Sequence, residues 1–271
     1  MPHAIVERDG HLMTITMNRP QRMNALSGEM LVRMYDAYEE ASRDPEVRCI
    51  LVTGAGGNFC SGADLRAMAG DAADADREID VQARMKADPD LVYKALFRHY
   101  RPKKPIIAAV EGVAIAGGTE ILQAMEIRVA GERARFGVSE ARWSLYPMGG
   151  SAVRLPRQIP YTHAAEILLT GKHLTAREAL ACGLIGHVVP DGQALARARE
   201  IAAVICANGP LAVEAITRTL HECDGMELDA ALRHEWSYGQ AVFASEDAKE
   251  GPRAFAEKRK AEFKRKLCVG C

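Results

Sequence analysis

The sequence predicts an α/β fold. Strand, helix and strand patterns follow one another within residues 1–54, and short apolar runs rich in β-branched residues recur with glycine at their ends. From residue 191 onward the pattern is helical only, which sets the one domain boundary the sequence offers: a core over 1–190 and a helical region over 191–271.

The elements follow in order. "MTITMN" (13–18) alternates as a strand does and stops at "NRP". Ser27 stands as a helix N-cap, with Met30, Leu31, Met34, Tyr38 and Ala41 on one apolar face of a helix reaching Arg43. "RCILVTG" (48–54) is a buried strand, and "AGGNFCSGADL" (55–65) is turn-rich. Residues 67–100 carry "DAADAD" and then a helical stretch over Ile79–Phe97, a surface excursion of the kind that forms a lid. "KPIIAAVEG" (104–112) is a second buried strand, and "IRVAG" (127–131) and "ARFGV" (134–138) are two short ones. Helical patterns follow at "THAAEILLTG" and "TAREALACG", the latter with a Thr175–Glu178 capping box and Gly183 at its end. "LIGHVVP" (184–190) is a last strand, ahead of helical runs at 191–207, 209–222, 227–243 and a charged one near 246–266.

Composition narrows the function classes. The 271 residues are 48% hydrophobic and 26% charged, enough for a sizeable core, and the net charge of −1 calls for neither nucleic acid nor a membrane surface as partner. The N-terminal residues show no secretory pattern, and seven cysteines is an odd count, so a reducing, cytoplasmic setting is expected. Cys268 and Cys271 in "CVGC" are half of a zinc motif whose other half is missing, so a loose tail is expected rather than a metal site.

Two stretches share one grammar of apolar strand, glycine turn and helix start: "CILVTGAGGNFCSGADL" and "PIIAAVEGVAIAGGTEIL". Each offers backbone N–H groups at its turn, and two such donors converging from separate strands make an oxyanion hole. A third stretch, "FGVSEARWSLYPMGGS" (136–151), puts Glu140 after a strand-like run. Taken singly, Glu120 is an ordinary helix-start glutamate and Glu140 an ordinary surface one. Taken together they are two carboxylates in apolar surroundings, able to handle one water by acid and base steps. "TGAGGNF" imitates a dinucleotide-binding loop, but turn residues follow it instead of a helix.

"NRPQRMNAL" (18–26), "FCSGADL" (59–65), "KPIIAAVEGVAIAGGTEI" (104–121), "FGVSEARWSLYPMGGS" (136–151), "LTG…TAREALACGLIGHVVP" (169–190) and "GPRAFAEKRKAEF" (251–263) stand in the order and spacing of the crotonase family. The chain resembles that family over essentially its whole length, and the enoyl-CoA hydratases within it most. The resemblance implies a spiral of ββα turns with a helical C-terminal region that assembles trimers or dimers of trimers. It also implies hydration of a trans-2-enoyl-CoA to a 3-hydroxyacyl-CoA, with no cofactor beyond the coenzyme A carried by the substrate. On this sequence the oxyanion amides fall on Ala63 and Gly117, and the catalytic carboxylates on Glu120 and Glu140. Coenzyme A falls near Asn24, Ala25 and Leu26 and around Ser61, Gly62, Asp64 and Leu65. Phe263 and Lys266, from the last helix of a neighbouring subunit, would hold the adenine nucleotide, and Lys103 and Lys104 are candidates for its phosphates.

The chain departs from the hydratase pattern in three places. Ala116 replaces a frequent glycine, which ordinary backbone angles there would tolerate. "SLYPMGGS" is a shorter version of the second catalytic loop, and Trp143 and Tyr146 add aromatic bulk to it, which points away from the shortest acyl chains. The rival readings are a double-bond isomerase of the same fold, which needs one carboxylate, and a non-catalytic acyl-CoA-binding subunit.

Overall fold

A computed structural model describes residues 1–65 and 79–266. Nine strands lie among these residues, in two sheets. Six form the larger sheet: β1 (Ala4–Asp9), β2 (Leu12–Met17), β3 (Cys49–Gly54), β4 (Ile106–Val110), β6 (Ile127–Gly131) and β9 (His187–Val189), hydrogen-bonded in the order just given. Only the β1–β2 hairpin is antiparallel; every other pair in that sheet is parallel. The smaller sheet joins β5 (Val113–Ile115), β7 (Arg135–Gly137) and β8 (His173–Thr175). The chain therefore steps from one sheet to the other and back: β4 to β5, then β6 to β7, each step followed by a helix or helical turn. This is the expected spiral.

Burial on both faces explains the continuous apolar strands. Along β3, Ile50 and Val52 point into the main core with Ile106, Ala108 and Val110 of β4, while Cys49 and Leu51 point the other way. That second face is covered by the helix Ala194–Ala207, through Ala194, Ala198 and Ala202. The expected boundary at residue 190 thus falls inside a packing unit, since this helix closes the sheet.

The first helix, Gly28–Arg43, starts as its sequence requires, with the Ser27 hydroxyl accepting from the Met30 N–H. The Thr175–Glu178 capping box also forms. In place of one helix over Ile79–Phe97 there are two short ones, Val81–Ala87 and Leu91–Ala95, broken at Asp88. Residues 66–78, with "DAADAD", and Cys268 and Cys271 lie outside the described residues. The expected helix near 246–266 ends at Ala256, and residues 261–266 run without regular structure.

That final stretch is tied back to the sheet. Arg48, at the start of β3, donates to the Cys206 carbonyl (2.9 Å) and the Phe263 carbonyl (3.3 Å). Arg265 and the buried Lys104 both bind Glu214, and Asp247 accepts from the Lys264 and Arg265 N–H groups.

Candidate active site

Three chain segments meet where the two sheets come together. Residues 24–26 run beside residues 61–65: the Leu26 N–H donates to the Gly62 carbonyl (2.8 Å) and the Asp64 N–H returns a bond to the Leu26 carbonyl (3.3 Å). The short helix Gly117–Leu122 comes up against both. The approach is close: a Cβ added to Gly117 would sit 2.9 Å from Leu26 Cδ1 and 3.7 Å from the Ala63 nitrogen. One added to Gly118 would sit 2.3 Å from the Cys60 carbonyl oxygen, a backbone atom that cannot give way, so Gly118 tolerates no side chain, whereas at Gly117 Leu26 would have to move.

The Ala63 and Gly117 N–H groups make no hydrogen bond among the described residues. For Gly117 the reason is its place in the first helical turn, whose N–H groups have no acceptor within the helix. Two unspent amides so close together form an anion-binding notch.

Ala116 holds that notch open, at φ 52° and ψ −126°. These angles are not ordinary ones. A Cβ clashes there, at a cost of about 1–3 kcal/mol, so the expectation of a relaxed backbone at this alanine is corrected. The bonds around it enforce the conformation: its N–H donates to the Gly137 carbonyl (2.7 Å) and its carbonyl accepts from the Glu120 N–H (3.0 Å). Its methyl is also why residue 62 is glycine, since a Cβ there would lie 2.6 Å from it.

Glu120 is 4% exposed, and both its carboxylate oxygens are claimed. The Gly149 N–H donates to Oε2 (3.0 Å) and the Ser151 N–H to Oε1 (3.1 Å). The donors come from the turn that starts helix Ser151–Gln158, which the sequence reading left unassigned. Burial pushes the Glu120 carboxyl up, and these N–H donors oppose that shift. Glu140 opens a single helical turn, Glu140–Trp143, after β7. Its Oε2 is buried without a hydrogen-bond partner among the described residues, and burial, with the nearby Glu120 charge, pushes its carboxyl up to about 7. One turn positions both glutamates, because Thr119 Oγ1 accepts from the Gly137 N–H (3.1 Å) just ahead of Glu140.

The other expected site residues divide. Ala25, Leu26, Ser61, Gly62 and Leu65 line the paired segments beside the notch, and Leu65 is 44% exposed there. Asn24 is fully buried, with its side chain spent on the Arg19 N–H and the Ala55 and Asn58 carbonyls, so it shapes the loop from within. Asp64 is buried in an ion pair with Arg19 (2.9 Å). Lys104 is buried against Glu214, so the expectation of it as a phosphate ligand does not hold; Lys103 is exposed. Phe263 and Lys266 lie in the irregular tail instead of a helix, and Phe263 sits with Arg48 at the opposite end of β3 from Gly54. Gly149 and Ser151 were missed because only the fold brings their turn onto the Glu120 carboxylate.

Residues 7–266 match the family model described as enoyl-CoA hydratase/isomerase. The chain is 56% identical over 262 residues to enoyl-CoA hydratase EchA19 of Mycobacterium tuberculosis, covering 97% of this chain and 96% of that one. It is 34% identical to the short-chain-enoyl-CoA hydratase of Clostridium acetobutylicum, covering 96% and 97%. Among solved structures, an enoyl-CoA hydratase from Mycobacterium tuberculosis superposes with a TM-score of 0.86 at 36% identity, covering 97% and 99%.

Proposed function

The chain belongs to the enoyl-CoA hydratase/isomerase family, and on that premise we propose that it adds water across the double bond of a trans-2-enoyl-CoA to give the 3-hydroxyacyl-CoA. The observation that carries the reading is a pair of unlike carboxylates, Glu120 buried and Glu140 half-buried, beside two unspent amides. The Ala63 and Gly117 N–H groups bind the thioester oxygen and stabilise the charge it gains as the β-carbon is attacked, a contribution of about 3–4 kcal/mol per donor in comparable oxyanion holes. Glu120, whose two N–H donors favour the ionised form, takes a proton from water as the oxygen bonds to C3. Glu140, whose carboxyl is pushed up to about 7 by burial and the nearby Glu120 charge and so keeps a protonated fraction near neutral pH, delivers a proton to C2 of the enolate. One hydroxyl and one proton are added, and the proton on Glu120 replaces the one Glu140 has lost.

Isomerisation needs only one carboxylate; the presence of the second, half-buried beside the first, favours hydration. The loop after Glu140 exposes Trp143, Leu145, Tyr146 and Met148, and this apolar rim supports an acyl group larger than the shortest chain. Assembly into trimers or dimers of trimers is part of the same reading. It is supported by the helix Leu228–Phe243, which buries none of its residues and exposes Trp236 at 67% and Phe243 at 82%.

The test follows the ultraviolet absorbance of conjugated enoyl thioesters with short, long, branched and ring-bearing acyl groups. Rapid loss with the wild type, little with Glu120→Gln, and a 3-hydroxyacyl product by mass are expected. No loss with any chain would overturn the proposal. A best kcat/KM on the shortest chain would overturn the acyl preference alone.

A further inference from the structure

A second cavity, of about 580 Å³, opens between residues 123–128, the helix Ser151–Gln158, residues 183–187 and the end of the helix Pro210–Glu222. Neither catalytic glutamate lines it, nor does either oxyanion amide. Its wall is nevertheless the support of the Glu120 cradle. Arg154 donates to the Gly149 carbonyl (2.9 Å) and Gln123 to Ser151 Oγ (2.8 Å), so each residue whose N–H holds Glu120 is braced from the cavity.

The cavity carries unbalanced charge. Four guanidiniums line it, those of Arg101, Arg128, Arg154 and Arg157, against the carboxylates of Glu126 and Asp224. Both Glu126 oxygens are already used, by the Ile106 N–H and by His221, and Asp224 is exposed. The arginines are fixed by neutral partners: Arg128 by the Met125, Leu184 and Gln123 carbonyls, and Arg101 by the Ala124 carbonyl. Carbonyls position a guanidinium without cancelling its charge. Burial, joined by neighbouring arginines, lowers the Arg128 and Arg154 guanidiniums to about 10. Such an arrangement is costly when empty and favourable around an anion.

We propose that this cavity binds a phosphate group. A phosphate dianion matches the surplus of two positive charges, and guanidiniums from separate segments suit its tetrahedral oxygens better than a planar carboxylate. The group comes either as inorganic phosphate or as a phosphate ester on a small metabolite. Binding here does not depend on the reaction proposed above.

Calorimetric titration of the assembled protein with inorganic phosphate, and separately with glycerol 3-phosphate, tests this at constant ionic strength set by chloride. Saturable binding is expected, and the tighter ligand identifies the source. Arg101→Gln/Arg157→Gln, which leaves the Glu120 braces in place, should weaken Kd at least tenfold, the loss of two charge-assisted bonds. Saturating coenzyme A should leave it unchanged. No saturation, an unchanged Kd in the double variant, or abolition by coenzyme A would each overturn the proposal. Should the double variant not fold, Arg157→Gln alone, on the exposed rim, serves with a threefold weakening as its threshold.

Discussion

The two turns that carry the proposed catalytic glutamates use the same residue type in opposite ways. At 116–120 the backbone is strained and the carboxylate satisfied: Ala116 is held at positive φ, while both Glu120 oxygens receive N–H bonds. At 139–144 the carboxylate is left short of partners, with Glu140 Oε2 buried and bare. The first turn fixes an acceptor and the second stores a proton. In the proposed reaction, surroundings alone would make identical side chains base and acid.

The largest test of that contrast removes each carboxylate. Glu140→Gln and Glu120→Gln should each lower kcat by about 10²–10⁴, the range for a lost acid or base, with folding intact by circular dichroism. Equal loss in the double variant and in each single one would show that the pair acts as one unit. Next comes Gly117→Pro, which deletes an oxyanion donor and should lower kcat by about 10²–10³. Gly149→Ala attacks the cradle: its Cβ would lie 2.7 Å from Glu120 Oε2, so the carboxylate must shift, and kcat should fall about tenfold or more.

The proton stored on Glu140 also shows in stability. Its carboxyl titrates near 7 in the folded chain and near the ordinary 4.5 when unfolded. Below 4.5 both states hold the proton and there is no penalty. Between 4.5 and 7 only the folded state keeps it, so stability falls as pH rises and then levels off. After allowance for solvent screening, Glu140→Gln should stabilise the fold by about 1–2 kcal/mol at pH 8 and by nothing at pH 4, measured by denaturant titration. The smallest effect belongs to the strained turn. Ala116→Gly should relieve the clash and gain up to about 1 kcal/mol, roughly 2 °C in Tm.

The same contrast bears on what was legible in the sequence. Glu120 and Glu140, and the glycines around them, could be read because close backbone approach and apolar neighbours leave a compositional trace. β3, β4 and β6 could be read because burial on both faces makes them continuous apolar runs. β1 escaped because "AIVERD" is exposed after its first residue. Helix Ser151–Gln158 hides behind Pro156. The family resemblance suggested Asn24 and Lys104 as ligands, but it does not tell a residue that faces a substrate from one that props up a loop. The positive φ of Ala116 was invisible, since tertiary hydrogen bonds impose it.

The tie between β3 and the tail sets a timetable for the molecule's making. Arg48 finds its acceptors only at residues 206 and 263, and the Lys104–Glu214 pair gains Arg265 only near the other end of the chain. Contacts this distant in sequence close slowly. A ribosome that has issued the whole sheet has therefore not issued what ties down the start of β3, and that end must wait for the last residues to emerge.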